Sequence, residues 1–289
     1  MSGGGGSSGA APTPDVSVLV QLLEVMRLLS GRAGAAAGSP AGAPPAAAPA
    51  PAAAARAAEA AAPPPGAGLA ESNLAVGPTA GLPPWAEPPP DMEACGGQRR
   101  QQGRAAEKVA SANAAGERLD LVLWGDSLTA ALARSSSPAW PSTFGDLQAL
   151  PLGMCSSTVE DLAWRILEGG ERPEQAPKVA AFLIGINNVW QGLQPPAERL
   201  EWLLTWAKAV WPDTKFAVMA LLPTNWTDVG PTNQAYAALA ARRGALFVDC
   251  GIGLDPSDTS LVEDGLHPTE AGSERLARCL RDAVQPLLA

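Results

Sequence analysis

Histidine occurs once in this chain, as His267, so any imidazole chemistry rests on that one position. Cysteine is nearly as scarce. Cys95, Cys155, Cys250 and Cys279 form no CxxC pair, and one histidine cannot complete a usual zinc ligand set with them, so no metal is expected. Reduced thiols are the default reading, with Cys155 a small buried filler; the even count keeps disulfides in a secreted product open. Basic residues are outnumbered, 20 Lys and Arg against 29 Asp and Glu, for a net charge of −9. Nearly all of that charge falls on residues 117–289. A negative field repels phosphate backbones and anionic lipid surfaces, which argues against a nucleic acid ligand.

Branched and aromatic side chains are thin from Met1 to Gly116. Alanine, glycine, proline and serine dominate there, in runs such as Ala61-Ala62-Pro63-Pro64-Pro65. Such a segment buries too little apolar surface to offset the entropy of ordering, so residues 1–116 read as a disordered tail. The apolar fraction of 46% is inflated by its alanines, and residues 117–289 are left as a single folded domain. One stretch of the tail departs from its surroundings. Val16, Leu19, Val20, Leu23, Met26 and Leu29 follow helical spacing between Pro14 and Gly31, which fits a helix over 15–30 that docks on a protein partner, one that forms transiently without a partner, or a cryptic targeting segment. Gln21, Glu24 and Arg27 interrupt it, so it does not span a bilayer, and no transmembrane segment is expected. Met1 to Thr13 carries no Lys or Arg, unlike a secretory signal, and a cytoplasmic location is the expectation.

What the folded part does contain is alternation. Leu119–Trp124, Leu147–Leu152, Lys178–Ile186, Phe216–Leu222 and Ala245–Asp249 read as strands, mostly continuous apolar runs of the kind buried on both faces. Helical spacing covers Val159–Leu167, Pro196–Trp211, Asn233–Arg243 and Glu270–Leu288. That order predicts a parallel sheet with helices on both faces, and ligands bind such sheets beyond the carboxyl ends of the strands. Ser127 follows the first strand, Asn187 the third, and Asp264 and His267 lie in the loop after the fifth.

Those residue types suit acyl transfer. A serine hydroxyl becomes a useful nucleophile when a base accepts its proton, and neutral imidazole has the right basicity near pH 7. The imidazole needs an orienting carboxylate, which Asp264 can supply across a tight Gly265 turn. Oxyanion donors are available in the Ser127 amide, the Asn187 side chain and a backbone N–H in the loop after the second strand.

Gly125-Asp126-Ser127-Leu128, Gly185-Ile186-Asn187-Asn188 and Asp264-Gly265-Leu266-His267-Pro268 resemble blocks I, III and V of the SGNH, or GDSL, hydrolases. Trp164-Arg165, the Gly-x-Asn-Asn variant and Leu221-Leu222-Pro223 look most like the platelet-activating-factor acetylhydrolase catalytic-subunit branch. The resemblance covers nearly all of 117–289. It implies a three-layer α/β/α sandwich with a five-stranded parallel sheet, flavodoxin-like in plan, and no cofactor. It also implies Ser127 as nucleophile, His267 as base, Asp264 as orienting acid and Asn187 as oxyanion donor. The second block departs from the family: in Gly153-Met154-Cys155-Ser156-Ser157, Ser156 stands where a donor glycine is usual, with Gly153 the alternative under a shifted alignment.

The expected activity is therefore a serine esterase acting on a small acyl ester, acetyl included, that is lipid- or sugar-linked. A catalytically weak interaction module and an acyltransferase using the same residues are the alternatives. Trp190 and Trp226, just beyond strands three and four, are candidates to wall the substrate pocket, whereas Trp202, Trp206 and Trp211 read as helix packing.

Overall fold

A computed structural model describes residues 76–90, 97–134 and 136–289. The 15–30 stretch lies outside the described residues. Helix α1 (Gln98–Ala115) precedes the sheet. There follow β1 (Leu121–Gly125), α2 (Ser127–Leu132), α3 (Ala139–Phe144), β2 (Ala149–Gly153) and α4 (Val159–Leu167). The chain continues through β3 (Val179–Leu183), α5 (Ile186–Trp190), α6 (Pro196–Val210) and β4 (Lys215–Met219). It ends with α7 (Gly230–Arg243), β5 (Leu246–Val248), α8 (Glu270–Val284) and a 3-10 turn.

The five strands form one parallel sheet in the order β2-β1-β3-β4-β5. This is the flavodoxin-like order, whose reversal beside β1 opens a crevice at the carboxyl edge. Helices α2, α3 and α8 pack together on one face, and α4, α6 and α7 on the other, giving the expected three-layer α/β/α sandwich. Leu121, Val122, Leu123 and Trp124 of the central β1 have no exposed surface, each worth about 1.5–3 kcal/mol relative to leaving it in water. Trp124 stacks between Phe182 and Trp211 with ring centroids 5.7 and 6.0 Å away, and Trp206 meets Trp211 edge-on. Trp206 and Trp211 are thus core residues.

Two expectations are corrected. The folded part begins before Glu117: α1 is ordered, and Val76, Ala80, Leu82 and Trp85 pack on the core, Trp85 edge-on to Trp202 at 5.6 Å. Composition hid this because α1 has only a narrow buried apolar stripe, Ala105, Val109 and Ala112, beside the buried Gln98. Side-chain hydrogen bonds do the rest: Gln102 donates to Gly169 O, and Asn113 bonds Arg172 O and Glu174 N. The second correction concerns the thiols. Cys250, just past β5, is bonded to Cys279 of α8 with Cα atoms 5.8 Å apart, Cys155 is disulfide-bonded as well, and no cysteine is free among the described residues. Among those residues, too, no helix is long and apolar enough to cross a membrane.

Candidate active site

The segments that follow all five strands at the carboxyl edge of the sheet build the site. After β1 the chain turns at Gly125 straight into α2. The turn is tight: a Cβ on Gly125 would stand 2.1 Å from Thr129 Oγ1 and 2.4 Å from Leu183 O, so only glycine fits. Asp126 caps α2 by accepting from Leu128 N at 3.0 Å, and Ser127 occupies the first helical position with its hydroxyl at the strand end.

Ser127 Oγ lies 2.9 Å from His267 Nε2. His267 Nδ1 lies 2.8 Å from Asp264 Oδ2, while Asp264 Oδ1 accepts from the backbone N–H of His267 at 2.8 Å and of Leu266 at 3.0 Å. Burial raises the Asp264 carboxyl, but the His267 and Leu266 bonds and the imidazole outweigh it and hold the group below its ordinary value. An ionised carboxylate only accepts, so it fixes the proton on Nδ1 and leaves Nε2 to receive one from Ser127.

The loop after β4 braces this arrangement. Asn225 N donates to Gly265 O at 3.0 Å and Trp226 Nε1 to Asp264 O at 2.9 Å. The Trp226 ring meets His267 edge-on at 5.7 Å and lies tilted against Trp190 at 5.6 Å. Both tryptophans are exposed, Trp190 at 57% and Trp226 at 40%, and they stand as a paired wall beside the imidazole.

Asn187, on α5, donates from Nδ2 to Ser157 O at 2.9 Å; its amide has a second hydrogen for another acceptor. Its neighbour Asn188 is buried and holds Val159 N and Glu160, a role in packing. Ser156 lies in the β2–α4 loop at φ 60, the one described non-glycine residue with positive φ. That conformation costs an L-residue about 1–2 kcal/mol. The exchange of glycine for Ser156 thus keeps the left-handed backbone that glycine adopts freely. Gly153, the alternative donor, ends β2 opposite Gly125, and its missing Cβ lets the backbone of Ala130 approach, so packing accounts for it.

Sequence reasoning named Arg165 only as part of the Trp164-Arg165 resemblance and missed its role under the site. Arg165 of α4 is fully buried and uses all five N–H groups: two on Glu171, and one each on Gly125 O, Leu152 O and Ser157 Oγ, at 2.7–3.0 Å. It ties the ends of β1 and β2 to the Ser156 loop. The signal was present, since an arginine at the apolar spacing of Leu162 and Ile166 must be buried and paired. Among the described residues no group of three or more His, Cys, Asp or Glu could hold a metal.

Comparison with known proteins bears on the family and the fold. A family model described as the GDSL-like Lipase/Acylhydrolase family matches residues 123–275. Platelet-activating factor acetylhydrolase IB subunit alpha1 of Rattus norvegicus is 26% identical over 182 residues, 59% of this chain and 77% of the relative. Subunit alpha2 of Homo sapiens is 25% identical over 181 residues, 58% and 77% of the two chains. A solved structure from Streptococcus pneumonia, provisionally assigned as a platelet activating factor, shares the fold with a TM-score of 0.54 at 20% identity, covering 64% of this chain and 93% of its own.

Proposed function

From the premise that the chain belongs to the GDSL-like lipase/acylhydrolase family and is an ester hydrolase, we propose that it cleaves a small acyl ester, acetyl included, through an acyl-enzyme on Ser127. The observation that carries this reading is the unbroken hydrogen-bond chain from Ser127 through His267 to Asp264. Ser127 Oγ attacks the carbonyl carbon as its proton passes to His267 Nε2. The oxyanion that forms is received by the amides of Ser127 and Ser156 and by the free hydrogen of the Asn187 side chain. Collapse breaks the ester C–O bond, and the departing alcohol takes the proton from Nε2. Water then attacks the acyl carbon, gives its proton to His267, and releases the carboxylic acid with Ser127 restored.

The exposed rings of Trp190 and Trp226, paired beside His267, suit the apolar body of a lipid- or sugar-linked alcohol. The rodent and human relatives, named for acetylhydrolysis, support a short acyl group. The test is release of p-nitrophenol from its acetate ester. Ser127→Ala and His267→Ala should each lower kcat by about 10³-fold or more, with no second imidazole to compensate. Equal rates in wild type and Ser127→Ala would overturn the reading.

A further inference from the structure

The loop that carries Ser156 is gripped from outside the sheet. Both backbone polar groups of its neighbour Cys155 are taken by side chains of α1. Gln98 Nε2 donates to Cys155 O at 2.7 Å, and Gln101 Oε1 accepts from Cys155 N at 2.9 Å. The two glutamines are three residues apart, on one side of the helix. On the far side of Ser156, Ser157 is held by Asn187 through its carbonyl and by Arg165 through its hydroxyl. Ser156 therefore sits between two fixed neighbours, and its φ of 60 is one that an L-residue keeps only where its surroundings dictate it.

Plain packing does not explain Gln98. It is 1% exposed, and its Oε1 has no protein partner, so an apolar residue of the same size would fill that space without the cost of burying an amide. The bonds of Gln102 and Asn113 already dock α1 on the domain. What Gln98 and Gln101 add is a hold on the two peptide units that flank the Cys155 Cα.

We propose that Gln98 and Gln101 are positioning residues, which by clamping Cys155 hold Ser156 in its left-handed conformation and so set the direction of its N–H toward the oxyanion. Helix α1, ahead of the sheet, then completes the site by bracing the loop where serine replaces the usual glycine. This inference rests on the esterase reading of Ser127.

The experiment uses the full chain with Gln98→Met, Gln101→Met and, as control on the same helix, Gln102→Met. Turnover of p-nitrophenyl acetate is measured beside thermal unfolding and hydrogen exchange of a peptide spanning 153–157. In Gln98→Met and Gln101→Met, kcat should fall about tenfold, less than for a donor removed outright, with KM within about twofold. Exchange in the peptide should quicken, while Gln102→Met keeps wild-type kcat and exchange. Adding Ser156→Gly to Gln101→Met should restore most of the lost kcat, because glycine takes the left-handed backbone without help; a merely structural loss would not be rescued. Unchanged kcat in both variants, or a fall shared by Gln102→Met in step with its unfolding temperature, overturns the proposal. If wild type shows no Ser127-dependent turnover, the esterase reading fails instead. Exchange still decides the clamp: faster in Gln98→Met and Gln101→Met alone supports it, and equal exchange in all three variants sinks it.

Discussion

Asp126 faces two opposing demands: one carboxylate oxygen caps α2, while the other finds no protein partner in a fully buried position. Burial pushes its pKa up to about 7, against the opposing pull of the Leu128 N–H and the Arg165 charge. The folded-state value therefore lies above that of the unfolded chain. Folding takes up a proton on Asp126 in the window between them, so this contribution to stability is full below about pH 4 and is lost as pH rises through 7. Asn keeps the capping oxygen and removes the titration. Asp126→Asn should thus gain on wild type as pH rises from 4.5 to 8, by more than about 1 kcal/mol across the range. Urea denaturation of both proteins along that series checks it, and a pH-independent difference would rule the group out. His267 and Asp264 were legible from sequence because their pairing is local. The burial of Asp126 was not, because it depends on where α4 and α7 come to rest.

The strand and helix alternation could be read from apolar runs, and α4 was read to its bounds from its helical spacing; in the structure Thr158 and Asp161 form a capping box at its start, with bonds of 3.3 and 2.8 Å. The third strand stops at Leu183, short of the expected Ile186, because Gly185 turns the chain into α5 at φ 117. Helix α1 escaped because its order comes from hydrogen bonds to loops that only the folded sheet creates. The role of Arg165 escaped for the opposite reason: it sits in an apolar stripe and looks like an interruption of it. Its energetics belong to three elements together, since it joins β1, β2 and α4. Arg165→Met leaves Glu171 charged and buried, which should cost about 3–5 kcal/mol in urea unfolding. Burial already raises the Glu171 carboxyl, and the Arg165 charge is what opposes that rise. Adding Glu171→Leu should recover part of the loss, because no unpaired charge then remains. A double variant less stable than Arg165→Met would show that Glu171 has other work to do.

Over the whole molecule, the Cys250–Cys279 bond closes a loop that contains both Asp264 and His267, so the covalent frame and the proposed acid–base pair share one segment. The sequence offered four cysteines without a motif, and nothing in their spacing shows that β5 and α8 bring two of them together. The expected cytoplasmic location rested on the lack of Lys and Arg from Met1 to Thr13. A bond of this kind persists in an oxidising compartment. For a sequence separation of 29 residues, the chain-entropy model gives about 3–4 kcal/mol of stabilisation. Cys250→Ser with Cys279→Ser should lose that amount in urea unfolding. Below its transition the variant should keep kcat within about threefold, because the hydrogen bonds from Asn225 and Trp226 still hold the Asp264–His267 turn against the loop after β4. A loss of kcat comparable to His267→Ala in a variant that remains folded would instead make the disulfide the element that sets the imidazole in place.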